Sequence, residues 1–364
     1  MTFSQPFALF AAVFFLSFAA ASTLVARTGF QGFTLPRDAP GKETWAKFKK
    51  EYVTADGRVV DDANGGISHS EGQGYGMLLA AAHRDLSTFS VLWNWTEENL
   101  RVREDGLFAW KWDPSRPENP ITDPNNATDG DLLIAWALQR AGELWRNDRH
   151  VEEAKSIARA VRRSMVVESA RGPLLLPGGA GFRRPGGVVV NLSYWVFPAF
   201  LDLRRIDPSH VWDDLFLSGE RLLREARYGK WDLPPDWLLV GNDGGLSLPE
   251  GFDPVFGYNA VRIPLYLYWA GEKDSGLFAP FRAWASHAEN AFRIPDQVNL
   301  ETDEGGEYTV IPGMVAIYHL VDPAAVADPG PPADGFTSYY SACLALLSRL
   351  AGKEAVDYSE LPRP

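Results

Sequence analysis

Two kinds of apolar segment alternate along the chain. In Glu152 to Val161 the apolar side chains fall at Ala154, Ile157, Ala158 and Val161, the spacing of one buried helical stripe with a wet opposite face. Similar stripes recur over Trp45 to Val53, Phe89 to Trp95, Leu215 to Leu223 and Phe281 to Phe292. Other segments are apolar nearly all round, and Leu132-Leu133-Ile134-Ala135-Trp136-Ala137-Leu138 is the plainest of them. A helix with no polar face must be enclosed by others. Comparable runs start near Gly76, Leu192, Ala260, Val310 and Ser338, the last interval being the shortest. Strand signals are sparse. Six enclosed helices alternating with striped ones predict an all-α (α/α)6 barrel, a toroid whose inner ring is wrapped by an outer one. No Ser/Gly-rich linker divides it, so 41–355 reads as a single domain.

The loops ahead of the enclosed helices carry the ionisable groups: Ser68-His69-Ser70-Glu71-Gly72, Asn126-Ala127-Thr128-Asp129-Gly130-Asp131 and Gly257-Tyr258-Asn259. In a ring of parallel inner helices these ends open on one face, where polar groups converge as an active pocket requires. Ser70 is a good N-cap residue type, and Glu71 in the first turn would complement the helix dipole. Gly72, Gly74 and Gly76 each cost about 1 kcal/mol of helix propensity relative to Ala. Their placement suits close approach of something to the backbone, and a glycan chain fits. Asp129 and Asp131 could cap and polarise their helix, or bracket a sugar. A carboxylate near Glu71 would raise its pKa, as a general acid needs, while the helix N-terminus pushes the other way.

Composition narrows the classes. The 364 residues carry a net charge of -12 without any block of like charge, which excludes nucleic acid as a partner on electrostatic grounds. Thirteen tryptophans, several beside Gly, Pro or Asp, lean as a set toward flat platforms for sugar faces. Cys343 stands alone, so no disulfide framework or Cys-based zinc site is available and inert packing is its expected role. The six His residues lack ligand spacing, so no metal or cofactor is expected. His69 reads as a loop residue or a hydrogen-bond partner in the cleft. Residues Phe7 to Ala21 are apolar apart from Ser17 and end in Ala19-Ala20-Ala21-Ser22. That predicts a signal peptide over 1–21, an N-terminal extension over 22–40, and a periplasmic or secreted protein. No Lys or Arg precedes the apolar run, so a retained anchor is the alternative. A monomer is expected, since a toroid offers neither a sheet edge nor a heptad seam.

Three segments resemble glycoside hydrolase family 8, and within it the endoglucanases that accompany bacterial cellulose synthases. They are Ser70-Glu71-Gly72-Gln73-Gly74-Tyr75-Gly76-Met77, Ala127 through Ala137, and Gly257-Tyr258-Asn259-Ala260-Val261-Arg262-Ile263-Pro264. The resemblance implies an (α/α)6 barrel, hydrolysis of β-1,4-glucan with inversion, and association with a cellulose synthase complex. It implies Glu71 as general acid and Asp129 as the carboxylate that holds and distorts the sugar. It makes Trp112 a stacking platform, Tyr194 or Trp195 another, and places Tyr258, Asn259 and Arg262 in the substrate-binding region. Most members carry Asp, the general base, where this chain has Asn259. The replacement candidates are Asp253, Glu301, Asp303, Glu304 and Glu307. Chitosan, mixed-linkage glucan and xylan are alternative substrates for the same chemistry. The absence of Asp at 259 also leaves open a weakly catalytic or non-catalytic glucan-binding protein.

Overall fold

The computed structural model describes residues 32–33, 39–272, 274–287, 293–330 and 336–354. The expected signal peptide and most of the 22–40 extension lie outside them.

Among the described residues five amphipathic helices form an outer layer: α1 (Lys42–Tyr52), α3 (Leu86–Leu100), α5 (Asp148–Ser164), α7 (His210–Glu225) and α9 (Ser275–Ser286). Six helices form the inner ring: α2 (Ser70–Ala82), α4 (Thr128–Trp145), α6 (Phe197–Ile206), α8 (Ile263–Trp269), α10 (Pro312–Val321) and α11 (Tyr339–Glu354). Each inner helix packs on the next, α11 returns to α2, and α1 packs on α11, which closes the toroid. Outer helices α3, α5, α7 and α9 start where side chains satisfy free N–H groups. Asp85 accepts from the Thr88 N–H at the head of α3, Asn147 caps α5, and Ser209 caps α7.

The inner runs beginning at Leu192 and Ala260 become helical a few residues late. Each opens as a 3-10 turn (Leu192–Tyr194, Ala260–Arg262), and the α-helix proper starts with Pro198 or Pro264 in its first turn. Proline is tolerated there because its missing N–H would have no helical partner. Among the described residues the sixth outer position holds no helix: 322–330 and 336–338, the described part of the α10–α11 connection, are non-helical.

The glycines of α2 and α4 correct one expectation. A Cβ on Gly74 would stand 2.6 Å from Leu133 Cβ of α4, and one on Gly130 would collide with Ser70 Oγ of α2. These glycines let two inner helices touch backbone to backbone, so their cost in propensity is offset by packing and not by a bound glycan. Tryptophan is mostly core as well. Trp136 and Trp269 meet at 4.9 Å inside the ring, and Trp45, Trp93, Trp95, Trp195, Trp212 and Trp284 are also buried.

Short strands decorate the loops. β1 (Ser68–His69) pairs antiparallel with β2 (Lys111–Trp112) just ahead of α2. β3 (Val166–Val167) pairs with β4 (Leu174–Leu175). A four-stranded antiparallel sheet runs in the order β5 (Arg183–Arg184), β6 (Gly187–Val190), β7 (Leu238–Gly241), β8 (Leu246–Ser247). β9 (Val255–Phe256) pairs with β10 (Val298–Asn299) and delivers the chain to Asn259.

Candidate active site

A cleft of about 1120 Å³ opens where the inner helices begin. All six contribute to its lining: Glu71 from α2, Asp129 from α4, Tyr194 ahead of α6, Asn259 and Arg262 ahead of α8, Ile311 ahead of α10, and Tyr339 with Tyr340 from α11.

Arg262 is the hub of the floor and is almost fully buried. Its Nη2 donates to Asn259 Oδ1 at 3.0 Å and to Ser193 Oγ at 2.9 Å. Its Nη1 forms an ion pair with Glu71 Oε1 and stands 3.4 Å from Asp129 Oδ2. Glu71 Oε1 also accepts from Tyr75 O–H at 3.1 Å. The fork thus holds two carboxylates on one nitrogen and the Asn259 amide on the other. Such a planar spread of donors is specific to arginine.

The cap of α2 is His69, not Ser70: Nδ1 of His69 accepts from the Gly72 N–H at 3.1 Å. That acceptor role puts the ring proton on Nε2, which faces Asp61 Oδ2 at 3.3 Å and so fixes the tautomer. His69 Nδ1 lies 4.0 Å from Glu71 Oε2. The cap of α4 is Ala127, which offers no side-chain bond. Asp129 instead accepts its neighbour's N–H, that of Gly130, at 2.8 Å.

Burial sets the electrostatics. Asp129 is 2% exposed, and burial pushes its carboxyl up to about 7 against the opposing Gly130 N–H. Asp131 is pushed up to about 7 for the same reason. Its oxygens, however, hold the Phe108 N–H at 2.9 Å and Asn126 Nδ2 at 2.7 Å, so it ties down the loop behind the cleft. Burial also raises Asp61, but hydrogen bonds from His69, Asn64 and the Ala63 N–H outweigh it and hold the carboxyl below its ordinary value.

The aromatic candidates separate. Tyr194 lines the cleft, whereas Trp195 is core, donating Nε1 to Leu215 O at 3.0 Å. Trp112 lies outside the lining residues, edge-on to Trp95 at 5.7 Å and beneath Arg58 at 5.0 Å. Trp110, two residues earlier, lines the cleft and is held by a 2.8 Å bond from Nε1 to Asp123. Tyr258 is 41% exposed at the rim, with its O–H donating to Asp296 Oδ2 at 2.9 Å.

None of Asp253, Glu301, Asp303, Glu304 and Glu307 is among the lining residues. Asp303 is occupied elsewhere, accepting from the Lys230 N–H at 2.9 Å. The carboxylate beside Asn259 is Asp236, which no pattern in the sequence marks because it lies 23 residues upstream on the approach to β7. It is 5% exposed.

Glycosyl hydrolases family 8 matches residues 21–354. A probable endoglucanase of Novacetimonas hansenii is 40% identical over 314 residues, 86% of this chain and 91% of that protein. The endo-beta-1,4-glucanase CMCax from Acetobacter xylinum superposes with a TM-score of 0.80 at 39% identity, covering 86% of this chain and 97% of that one. A GH8 endo-beta-1,4-glucanase from an Achatina fulica gut metagenomic library gives 0.81 at 38% identity, covering 88% and 99%. With a closed inner ring of six helices wrapped by outer ones, a cleft at the inner helix N-termini and this likeness over nearly its whole length, the chain belongs to glycoside hydrolase family 8.

Proposed function

We propose that the protein is an inverting endo-β-1,4-glucanase acting on cellulose-type chains. The carrying observation is the Glu71–Arg262–Asn259 line across the cleft floor, with Asp129 beside the acid. Glu71 donates its proton to the leaving glycosidic oxygen, and Asp129 holds the sugar at the cleavage point. Inversion needs water to enter opposite the acid, between carboxyl groups about 6.5–9.5 Å apart. Glu71 and Asn259 occupy different nitrogens of one guanidinium, which sets the acid and the Asn259 amide on two sides of the Arg262 head. Likeness to enzymes named for β-1,4-glucan supports that substrate over chitosan, mixed-linkage glucan or xylan. The apolar N-terminus supports export, and a place beside a cellulose synthase and a monomeric state complete the reading.

The test is release of new reducing ends from carboxymethyl-cellulose, with the anomer of the first product followed by NMR and Glu71→Gln as control. Activity giving the inverted anomer, lost in the variant, is expected. Activity that survives Glu71→Gln overturns the assignment of the acid. Asn259 favours one second reading, a glucan-binding protein with little turnover. Glucan binding without hydrolysis in either form would decide for it.

A further inference from the structure

The cleft has an acid, but among the described residues no carboxylate lines its opposite face. Four carboxylates line it among the described residues, and three of them belong with the acid or the mouth. Asp61 is engaged by His69 on the acid's own side, Asp129 shares a guanidinium nitrogen with Glu71, and Asp113 is turned onto Ser115. Glu71 is the fourth. Across the fork stands Asn259, whose orientation is fixed by its partners. A guanidinium only donates and a carboxylate only accepts. Oδ1 must therefore face Arg262 Nη2, at 3.0 Å, and Nδ2 must face Asp236 Oδ2, at 3.3 Å. The two oxygens of Asp236 differ. Oδ1 is held by the Gly257 and Ala260 N–H groups at 2.9 and 2.8 Å, while among the described residues Oδ2 meets two longer contacts, both from Asn259, and is the more available oxygen.

We propose that Asp236 supplies the missing base function as a positioning residue acting through Asn259, with the amide relaying the proton of the attacking water to the Asp236 carboxylate. The inference rests on the glucanase reading above. The water oxygen forms its bond to the anomeric carbon as the glycosidic C–O bond breaks, and the leaving oxygen takes the Glu71 proton. The proton lost by the water passes to Asn259 Oδ1 while the Nδ2 proton passes to Asp236 Oδ2, leaving the imidic acid form of the side chain. Reversal of the amide shift returns the Asp236 proton to Nδ2 and releases the Oδ1 proton to solvent, from which Glu71 is recharged. No group outside the chain and water is needed. Burial raises the Asp236 carboxyl above its ordinary value against the bonds it accepts from Ala260, Gly257 and Asn259, which makes it a better proton acceptor near neutrality.

The experiment compares wild type, Asp236→Asn, Asn259→Asp and the double exchange on a soluble cello-oligosaccharide, each with and without sodium azide. Asp236→Asn preserves an oxygen for the Gly257 and Ala260 N–H groups. It is expected to lower kcat by about 10²–10⁴-fold with KM within about threefold. Azide attacks without needing a base, so it should restore turnover in Asp236→Asn as the inverted glycosyl azide. The double exchange, which moves the carboxylate to position 259, should recover kcat by about tenfold or more over Asp236→Asn. A kcat for Asp236→Asn within threefold of wild type overturns the proposal. So does a loss that neither azide nor the double exchange repairs, because a carboxylate that merely holds the loop predicts that pattern. If Asp236→Asn does not fold by circular dichroism, Asn259→Ala reads the relay from its other end: azide rescue supports it and failure of rescue overturns it. Wild type inactive on every glucan would remove the glucanase reading and this inference together. Active wild type with indifferent Asp236 removes only the relay.

Discussion

Asp129 Oδ2 stands 3.4 Å from Nη1 of Arg262, the same guanidinium nitrogen that pairs with Glu71. Two acidic groups thus share one cationic donor. The folded value of about 7 for Asp129 lies above its ordinary 3.8, so between those limits the folded state binds more protons than the unfolded one. Its contribution to stability is therefore full below about pH 4 and declines as pH rises through about 7, by at most about 1.4 kcal/mol per pH unit. Asp131 contributes in the same direction. Melting temperatures of wild type and Asp129→Asn from pH 4 to 7 should diverge, the variant showing the flatter dependence. Parallel curves would show that Asp129 is ionised throughout.

The tryptophans of the 110–112 segment should behave oppositely. Trp110→Ala removes a face from the cleft and is expected to raise KM for cello-oligosaccharides about three- to tenfold, the equivalent of about 1 kcal/mol, at nearly constant melting temperature. Trp112→Ala removes packing against Trp95 and Arg58 and should lower the melting temperature with KM little changed. Kinetics and melts on the two purified variants check both, and a reversed pattern would restore Trp112 as the sugar platform.

Gly74→Ala sets two magnitudes against each other. Helix propensity gains about 1 kcal/mol, while forcing a methyl against Leu133 Cβ costs about 1–3 kcal/mol. That Cβ is fixed to the α4 backbone and cannot rotate aside, so overpacking should win. Urea unfolding is expected to show a net loss of up to about 2 kcal/mol, and a stabilised variant would mean that α2 and α4 separate freely.

Much of this architecture was legible because it depends on local pattern. Leu132 to Leu138 has no polar face, and that alone demands enclosure. The convergence of Glu71 and Asp129 on one cleft was legible because helix starts gather at one end of the ring, whereas Arg262 entered only through the family resemblance. What escaped was whatever depends on two distant segments meeting. The meaning of Gly74 and Gly130 requires knowing that α2 lies against α4. The roles of Trp110 and Trp112 are not separated by a two-residue spacing. Asp236 carries no motif, and only the folding of the β7 and β9 approaches brings it to Asn259.

Arg262→Lys keeps the charge and loses the fork. An ammonium on a flexible stem cannot bridge Ser193, Asn259 and the two carboxylates at once. We expect kcat to fall about 10²-fold or more, with a smaller change in KM, because the groups that must face each other across the sugar lose their common spacer. Near-normal kcat in this variant would show that only the positive charge matters.

The common direction of the inner helices gives the molecule an electrical axis. Each helix carries roughly half a positive charge at its start and half a negative charge at its end, and all six start at the cleft. The open pole is thus biased positive in a chain whose formal charge is -12. At the other pole a cation is bound in the reverse sense. Arg140, late in α4, is buried in a 2.6 Å pair with Glu354 at the end of α11. The scaffold that shapes the groove also polarises it, so carboxylates gathered at one mouth meet a compensating field made of backbone alone.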